Sequence, residues 1–219
     1  MAPAAVRLRE AVALAGHFPL LAGVSFEIDE GEVALVRGPN GAGKTSLLRL
    51  CCGLLALRSG EGTVLGHDLS KDRRGVRRHV GLLGHQSLLY EELTVEENLR
   101  FALRASGSPA DRAPAAVLRL GLTGRLGSTP VGRLSAGQRR RTALAVLLAR
   151  DPGLWLLDEP HAGLDQEGRE LLDELVAEAR ARGRTVLMCS HEHDRAAALS
   201  DRVIWMVGGR IVKEPVGVA

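Results

Sequence analysis

Aromatic residues are scarce in this chain: two Trp, one Tyr and three Phe, or 3% of 219 residues. A surface that grips nucleic acid by stacking its bases needs such rings interleaved with basic side chains. With a net charge of only +3 there is also no strong field to draw a polyanion or an anionic membrane. No nucleic-acid partner is expected. Lysine is rarer still than the basic total suggests. Lys44, Lys71 and Lys213 are the only three, and arginine supplies the remainder. Cysteine is limited to Cys51, Cys52 and Cys189, an odd set without metal-ligand spacing, which reads as free buried thiols. No apolar run approaches the ~20 residues needed to cross a bilayer. The first fifteen residues are interrupted by Arg7, Arg9 and Glu10, so they lack the apolar centre of a signal peptide. These absences predict a cytosolic location. What remains is 45% hydrophobic, enough for a sizeable core in one large domain or two small lobes.

Against that background one segment stands out. Gly38-Pro39-Asn40-Gly41-Ala42-Gly43-Lys44-Thr45 fits G-x-x-x-x-G-K-[ST], the phosphate-binding loop of nucleoside triphosphatases. The short apolar run Val33–Val36 precedes it as a buried strand, and Ser46 to Leu50 continues it as a helix. The glycines let the backbone wrap a phosphate, and the amides from Gly41 to Ser46 present partial positive charge at a helix N-terminus. Lys44 reaches the outer phosphates, and the Thr45 hydroxyl is a ligand for Mg2+. The bland alternative, a glycine-rich turn opening a structural helix, suits a shorter motif better than this one.

Along the chain, Asp29-Glu30-Gly31-Glu32 reads as a polar turn between two strands, and the helix after the glycine loop is expected to reach about Leu57. The basic segment Lys71 to Arg78 reads as a solvated helix or loop face. From about Glu91 to Arg150 the texture becomes helical. Thr94-Val95-Glu96-Glu97 is a capping box opening a helix through Leu103. Pro109 and Pro114 punctuate, and Ala115 to Leu120 is a short helix. Ser135-Ala136-Gly137-Gln138 is a second capping box, whose helix stops at Asp151-Pro152. Leu154–Leu157 and Thr185–Cys189 are continuous apolar strands, with an amphipathic helix between them that Gly183 ends. Val203–Val207, Gly208-Gly209 and Arg210–Val212 read as a hairpin. Continuous apolar strands alternating with helices predict an α/β protein with a mainly parallel sheet covered on both faces.

The strand Leu154–Leu157 runs straight into Asp158 and Glu159. Downstream of a phosphate loop, an Asp there suits Mg2+ and the following Glu suits a general base for an attacking water. At this point a resemblance covers essentially the whole chain. Leu134-Ser135-Ala136-Gly137-Gln138 resembles the signature sequence of ABC-type ATPases, usually Leu-Ser-Gly-Gly-Gln, about twenty residues before the acidic pair. Gln86 matches that family's Q-loop, Ala162-Gly163-Leu164-Asp165 its D-loop, and His191 its switch histidine. The resemblance implies a phosphate-loop core with an N-terminal antiparallel β subdomain (residues 1–84 and 151–219) and an inserted helical subdomain (85–150). It implies a head-to-tail homodimer with two Mg-ATP at the interface. Ser135 and Gly137, flanked by Ala136 and Gln138, would meet the γ-phosphate bound by the opposite subunit. Asp165 would belong to the nucleotide site too. Lys44, Gln86, Glu159 and His191 would act in hydrolysis, with Thr45, Gln86 and Asp158 around the metal. Ala136 departs from the family glycine. The adenine-stacking aromatic is open: Phe18 is the nearest candidate and equally suits the core, while Tyr90 is in the wrong place. His191-Glu192-His193-Asp194 does not read as a metal site, because adjacent alternating residues rarely converge on one ion.

A single nucleotide domain of this kind normally drives a separate transmembrane permease subunit from the inner face of the cell membrane. The run Gly41 to Leu50 with Gly84-His85-Gln86 is particularly similar to the ATP-binding subunits of bacterial haem exporters, which serve cytochrome c maturation. Two alternatives stand beside that expectation: the ATPase of another exporter, of drugs, lipids or polysaccharide, and a soluble regulatory ATPase without a membrane partner.

Overall fold

A computed structural model describes residues 4–85 and 87–213. Two sheets organise the chain. Strand β1 (Ala4–Ala15) pairs antiparallel with β2 (Phe18–Asp29) on one side and β4 (Ser59–Val64) on the other, and β5 (His67–Asp68) completes a four-stranded sheet. The second sheet has six strands in the order β10-β9-β3-β8-β7-β6. Its strands β3 (Val33–Arg37), β6 (Val80–Leu83), β7 (Leu154–Asp158), β8 (Thr185–Cys189) and β9 (Arg202–Val207) are parallel. Only β10 (Arg210–Val212) is antiparallel, closing the expected hairpin through Gly208 and Gly209.

The parallel strands are apolar throughout because both faces of their sheet are covered. Side-chain alternation divides them between two clusters. Val33, Leu35, Trp155, Leu157, Val186 and Met188 face a core shared with α3 (Val95–Ser106), α4 (Arg112–Arg119), α5 (Ala136–Arg150) and α6 (Gln166–Ala181). Ala34, Val36, Leu154, Leu156, Leu187 and Cys189 face the other, with α1 (Lys44–Cys51), α2 (Arg73–His79) and the antiparallel sheet. The last helix, α7 (His193–Leu199), follows β8. Among the described residues no helix is long and apolar enough to cross a membrane.

Both capping boxes form. Thr94 accepts from Glu97 N and Glu97 reaches back to Thr94 N, and Ser135 and Gln138 do the same for α5. Helix α3 runs on to Ser106, past the expected Leu103, and two further helix boundaries differ from expectation. Helix α1 ends at Cys51 rather than near Leu57, because Gly53 turns into the left-handed region at φ +69° and its backbone lies against Arg73. Helix α4 starts at Arg112, with Pro114 inside its first turn, where a missing N–H costs no helical bond. All three cysteines are free and buried. Burial raises the thiols of Cys51 and Cys189, and takes Cys52 to about 11.

Helix α6 carries its apolar stripe on Leu172, Leu175, Val176 and Ala179, all fully enclosed. Leu172→Ala is expected to lose about 2–5 kcal/mol through transfer and cavity terms. Thermal unfolding should register this as a midpoint lower by roughly 10 °C; an unchanged midpoint would mean the site collapses around the deletion.

Candidate functional site

Three parallel strands end side by side. The register pairs Val36 with Cys189 and Cys189 with Asp158, so the segments leaving β3, β8 and β7 emerge at one edge. In an open parallel sheet the carboxyl edge is where ligands bind. From β3 comes the glycine loop, from β7 Asp158 and Glu159, and from β8 Ser190 and His191.

The loop is shaped by its neighbours. Gly38 has φ +152°, and a Cβ there would lie 2.0 Å from the Met206 carbonyl of β9. At Gly43, with φ +101°, a Cβ would lie 2.8 Å from the Leu20 carbonyl of β2 and 2.9 Å from the Met206 methyl. The β9–β10 hairpin holds the loop from behind, since Gly209 N donates to Ala42 O at 2.8 Å and Ala22 N donates to Gly209 O at 2.8 Å. Gly41, by contrast, faces open space. Helix α1 starts at Lys44 with Gly43 as its N-cap and no side-chain cap. The amides of Lys44, Thr45 and Ser46 therefore have no helical carbonyl to bond and point positive charge out of the loop. Pro39 and Asn40 form the turn between Gly38 and Gly41, and Ala42 N donates back to Pro39 O at 3.1 Å. The Lys44 ammonium lies over the loop, donating to the carbonyls of Gly38 at 2.7 Å and Pro39 at 3.0 Å.

Opposite the loop, the Thr45 hydroxyl donates to Asp158 Oδ2 at 2.8 Å. A hydroxyl and a buried carboxylate at this spacing form a hard oxygen pair of the kind Mg2+ takes. Thr45, Asp158, Gly84 and His85 line a cavity of about 330 Å3 beside them. Glu159 has a left-handed backbone, φ +47°, and its amide donates to Cys189 O at 2.9 Å. Its carboxylate accepts from the His191 amide at 2.9 Å, and His191 Nε2 lies 3.4 Å from its other oxygen. The acid and the histidine are thus brought together from two strand ends. Gln86 lies outside the described residues.

The candidates of the helical region lie elsewhere. Ser135, Ala136, Gly137 and Gln138 open α5, which packs on α3, α4 and β6, whereas α1 packs on β2, β7 and β8. Ser135 and Ala136 are exposed. Gly137 sits under the Gly163 carbonyl, which a Cβ would meet at 3.4 Å. Asp165 caps α6 by accepting from Gly168 N at 2.9 Å and pairs with Arg141 of α5 at 3.1 Å. The Gly168 amide and then Arg141 hold its carboxyl below the usual range. Phe18 is 78% exposed at the start of β2, two residues from the Leu20 carbonyl that touches the loop. It is not a core residue.

Two contributors escaped the sequence reading. Arg140 is buried and donates four hydrogen bonds, to the carbonyls of Gly84, Asp158, Glu159 and Pro160. Burial lowers its pKa, and the charges of Asp158 and Glu159 oppose the shift. Its signal was a basic residue four and seven positions before Leu144 and Leu147, on the apolar face of α5. The second, His161, had no signal beyond its place two residues after Glu159. Among the described residues, no group of three His, Cys, Asp or Glu is placed to hold a metal ion.

Glycine loop, bare helix start and strand-end acids define a phosphate-loop nucleotide-binding α/β protein. The ABC transporter family pattern matches residues 21–162. A cytochrome c biogenesis ATP-binding export protein CcmA from Shewanella frigidimarina is 40% identical over 173 residues, covering 79% of this chain and 80% of that one. One from Salmonella paratyphi A, named CcmA 2, is 40% identical over 190 residues, 87% and 91% of the two chains. Among solved structures, a dimeric ATP-binding cassette in a post-hydrolysis state, bound to ADP and Pi, superposes with TM-score 0.87 at 26% identity, over 96% of this chain and 97% of that one. An ATP-binding subunit of an ABC transporter gives TM-score 0.88 at 28% identity, over 96% and 90%. This chain belongs to the ABC transporter family.

The cradle at Gly38 is testable. A Cβ 2.0 Å from a main-chain carbonyl cannot be absorbed by a rotamer change. Gly38→Ala is expected to weaken binding of a fluorescent ATP analogue at least tenfold, on the order of 1.4 kcal/mol; equal affinity would show that the hairpin yields.

Proposed function

We propose that this chain is the ATP-hydrolysing subunit of an ABC exporter, working as a head-to-tail dimer around two Mg-ATP and driving a separate permease in haem export for cytochrome c maturation. The observation that carries the ATPase reading is the meeting of Lys44 and Thr45, Asp158 and Glu159, and His191 at one sheet edge. Identity of about 40% to proteins named for cytochrome c biogenesis export supports the particular system. Residues 1–84 and 151–219 are then the catalytic core, and 85–150 the helical part bearing the signature.

In this reading the loop amides and Lys44 hold the β- and γ-phosphates. Thr45 and Asp158, with Gln86, would hold Mg2+, which when bound would neutralise phosphate charge. Glu159 accepts a proton from the water whose oxygen bonds to the γ-phosphorus as the bond to the leaving ADP oxygen breaks. His191 steadies Glu159 through its amide and directs its ring to the γ-phosphate. The exposed start of α5 at Ser135 to Gln138 is the matching anion site for the other subunit's γ-phosphate. Asp165, tied to Arg141, transmits contact across the interface to the same helix. Exposed Phe18 supplies the face for adenine. A groove of about 510 Å3 between α2 and α3, lined by Leu54, Leu88, Tyr90 and Phe101 together with Arg74, Arg77 and Arg150, suits an acidic amphipathic helix of the permease. That docking would place the chain peripherally on the inner face of the membrane.

Glu159→Gln should bind ATP, lose most turnover and elute as a dimer on a sizing column with Mg-ATP; hydrolysis at the parent's rate would remove Glu159 as the base. Pulled down with Mg-ATP from detergent-solubilised native membranes, this variant should bring membrane proteins of a cytochrome c maturation system. A different permease would replace the exported substrate, and no membrane protein at all would favour a soluble regulator. Ser135→Arg should bind ATP as the parent does but fail to hydrolyse it, since only the shared site is blocked; full turnover would refute that site. Phe18→Ala should raise the KM for ATP roughly tenfold, within the range for losing one stacked base, and an unchanged KM would place adenine elsewhere.

A further inference from the structure

The turn that follows Glu159 carries a buried polar chain that the proposed chemistry does not use. His161 is 1% exposed. Its Nε2 lies 2.8 Å from Asp173 Oδ1 on α6. The second oxygen of Asp173 accepts from Arg195 on α7. Arg195 also reaches Glu192 at 3.7 Å, and Glu192 pairs with Arg169 of α6 at 3.4 Å. With Arg195 donating to one oxygen of Asp173, the other is placed to accept from His161 Nε2. His161 Nδ1, among the described residues, is buried without a partner. A buried polar atom left unpaired is costly. The one side-chain hydrogen bond His161 makes among the described residues is the one to Asp173.

The directed bond closes a circuit. From Glu159 the chain runs through Pro160 to His161, across to Asp173, on to Arg195, and back along α7 to His191, whose amide donates to the Glu159 carboxylate. The turn itself is tight: Ala162 N donates to Glu159 O at 3.1 Å, and Leu164 N to His161 O at 3.2 Å. The two groups at the ends of β7 and β8 are thus joined twice, once directly and once through the interior behind them. We infer that His161 and Asp173 are positioning residues, which lock the turn bearing Glu159 to the helix that follows His191 and so fix the mutual geometry of acid and histidine for attack on the γ-phosphate. Neither touches the reacting atoms. This inference rests on the ATPase reading above.

Positioning of this kind acts on turnover and leaves nucleotide binding alone, because the glycine loop lies on a different strand. In the complex purified with Glu159 intact, His161→Phe fills the space without a donor and should lower kcat for ATP about tenfold, with KM within twofold of the parent. His161→Gln retains a donor and should recover most of the loss. Arg195→Met cuts the same link from a part-exposed side chain, so it tests the circuit even if His161→Phe fails to fold. It should lower kcat to a similar degree, and combining it with His161→Phe should add little. Parental kcat in folded Arg195→Met, a rise in KM at constant kcat, or independent multiplicative losses in the double variant would each overturn the inference. If the parent complex itself hydrolyses no ATP, it is the ATPase reading that fails.

Discussion

A single buried guanidinium holds the molecule's two halves in register. Arg140 projects from the helix that Ser135 opens and spends four hydrogen bonds on the main chain just beyond β7 and β6. The acceptors are carbonyls, so the charge is met by dipoles in fixed directions and not by a mobile counter-ion. The backbone of Asp158, Glu159 and Pro160 cannot shift without breaking them. Helix α5 cannot rotate without doing the same. The helix with the exposed start and the strand end bearing the acids are thus joined through one side chain.

The geometry that Arg140 preserves originates in sheet register. Parallel pairing aligns Val36, Cys189 and Asp158 across three strands. Strands buried on both faces have little freedom to slip, because a one-residue shift would exchange the contents of two cores. Functional precision at the edge is thus inherited from apolar packing in the middle. The left-handed backbone of Glu159 is the local departure from that regularity. It costs conformational energy in a non-glycine residue, and the bonds to Cys189 O, from Arg140 and from His191 are what over-determine it.

How much of this was legible in the chain follows the range of each interaction. The glycine loop, both capping boxes, the acidic pair and the hairpin depend on residues within a few positions of one another, and each is where the sequence reading put it. The strand Leu154–Leu157 was legible for the same reason. Helix α1 was read too long because its end depends on Gly53 meeting Arg73, twenty residues away. Pro114 reads as punctuation in the sequence because its place inside a first turn is visible only once the helix start is fixed. Phe18 was undecidable, since a lone aromatic in a strand suits either face. Arg140 could have been found from its position on an apolar stripe. The chain from His161 through Asp173 to Arg195 could not: three elements contribute one residue each, and nothing in their spacing announces that they meet.

The three cysteines carry a practical consequence. Each is enclosed, and burial keeps its thiol in the protonated, unreactive form through the neutral range. The native chain is thus already a silent background for thiol chemistry. A cysteine introduced on the exposed start of α5 or on the glycine loop would be the sole site to accept a maleimide dye or nitroxide. Movements at either place could then be followed spectroscopically during turnover, without first stripping the protein of its own sulfur.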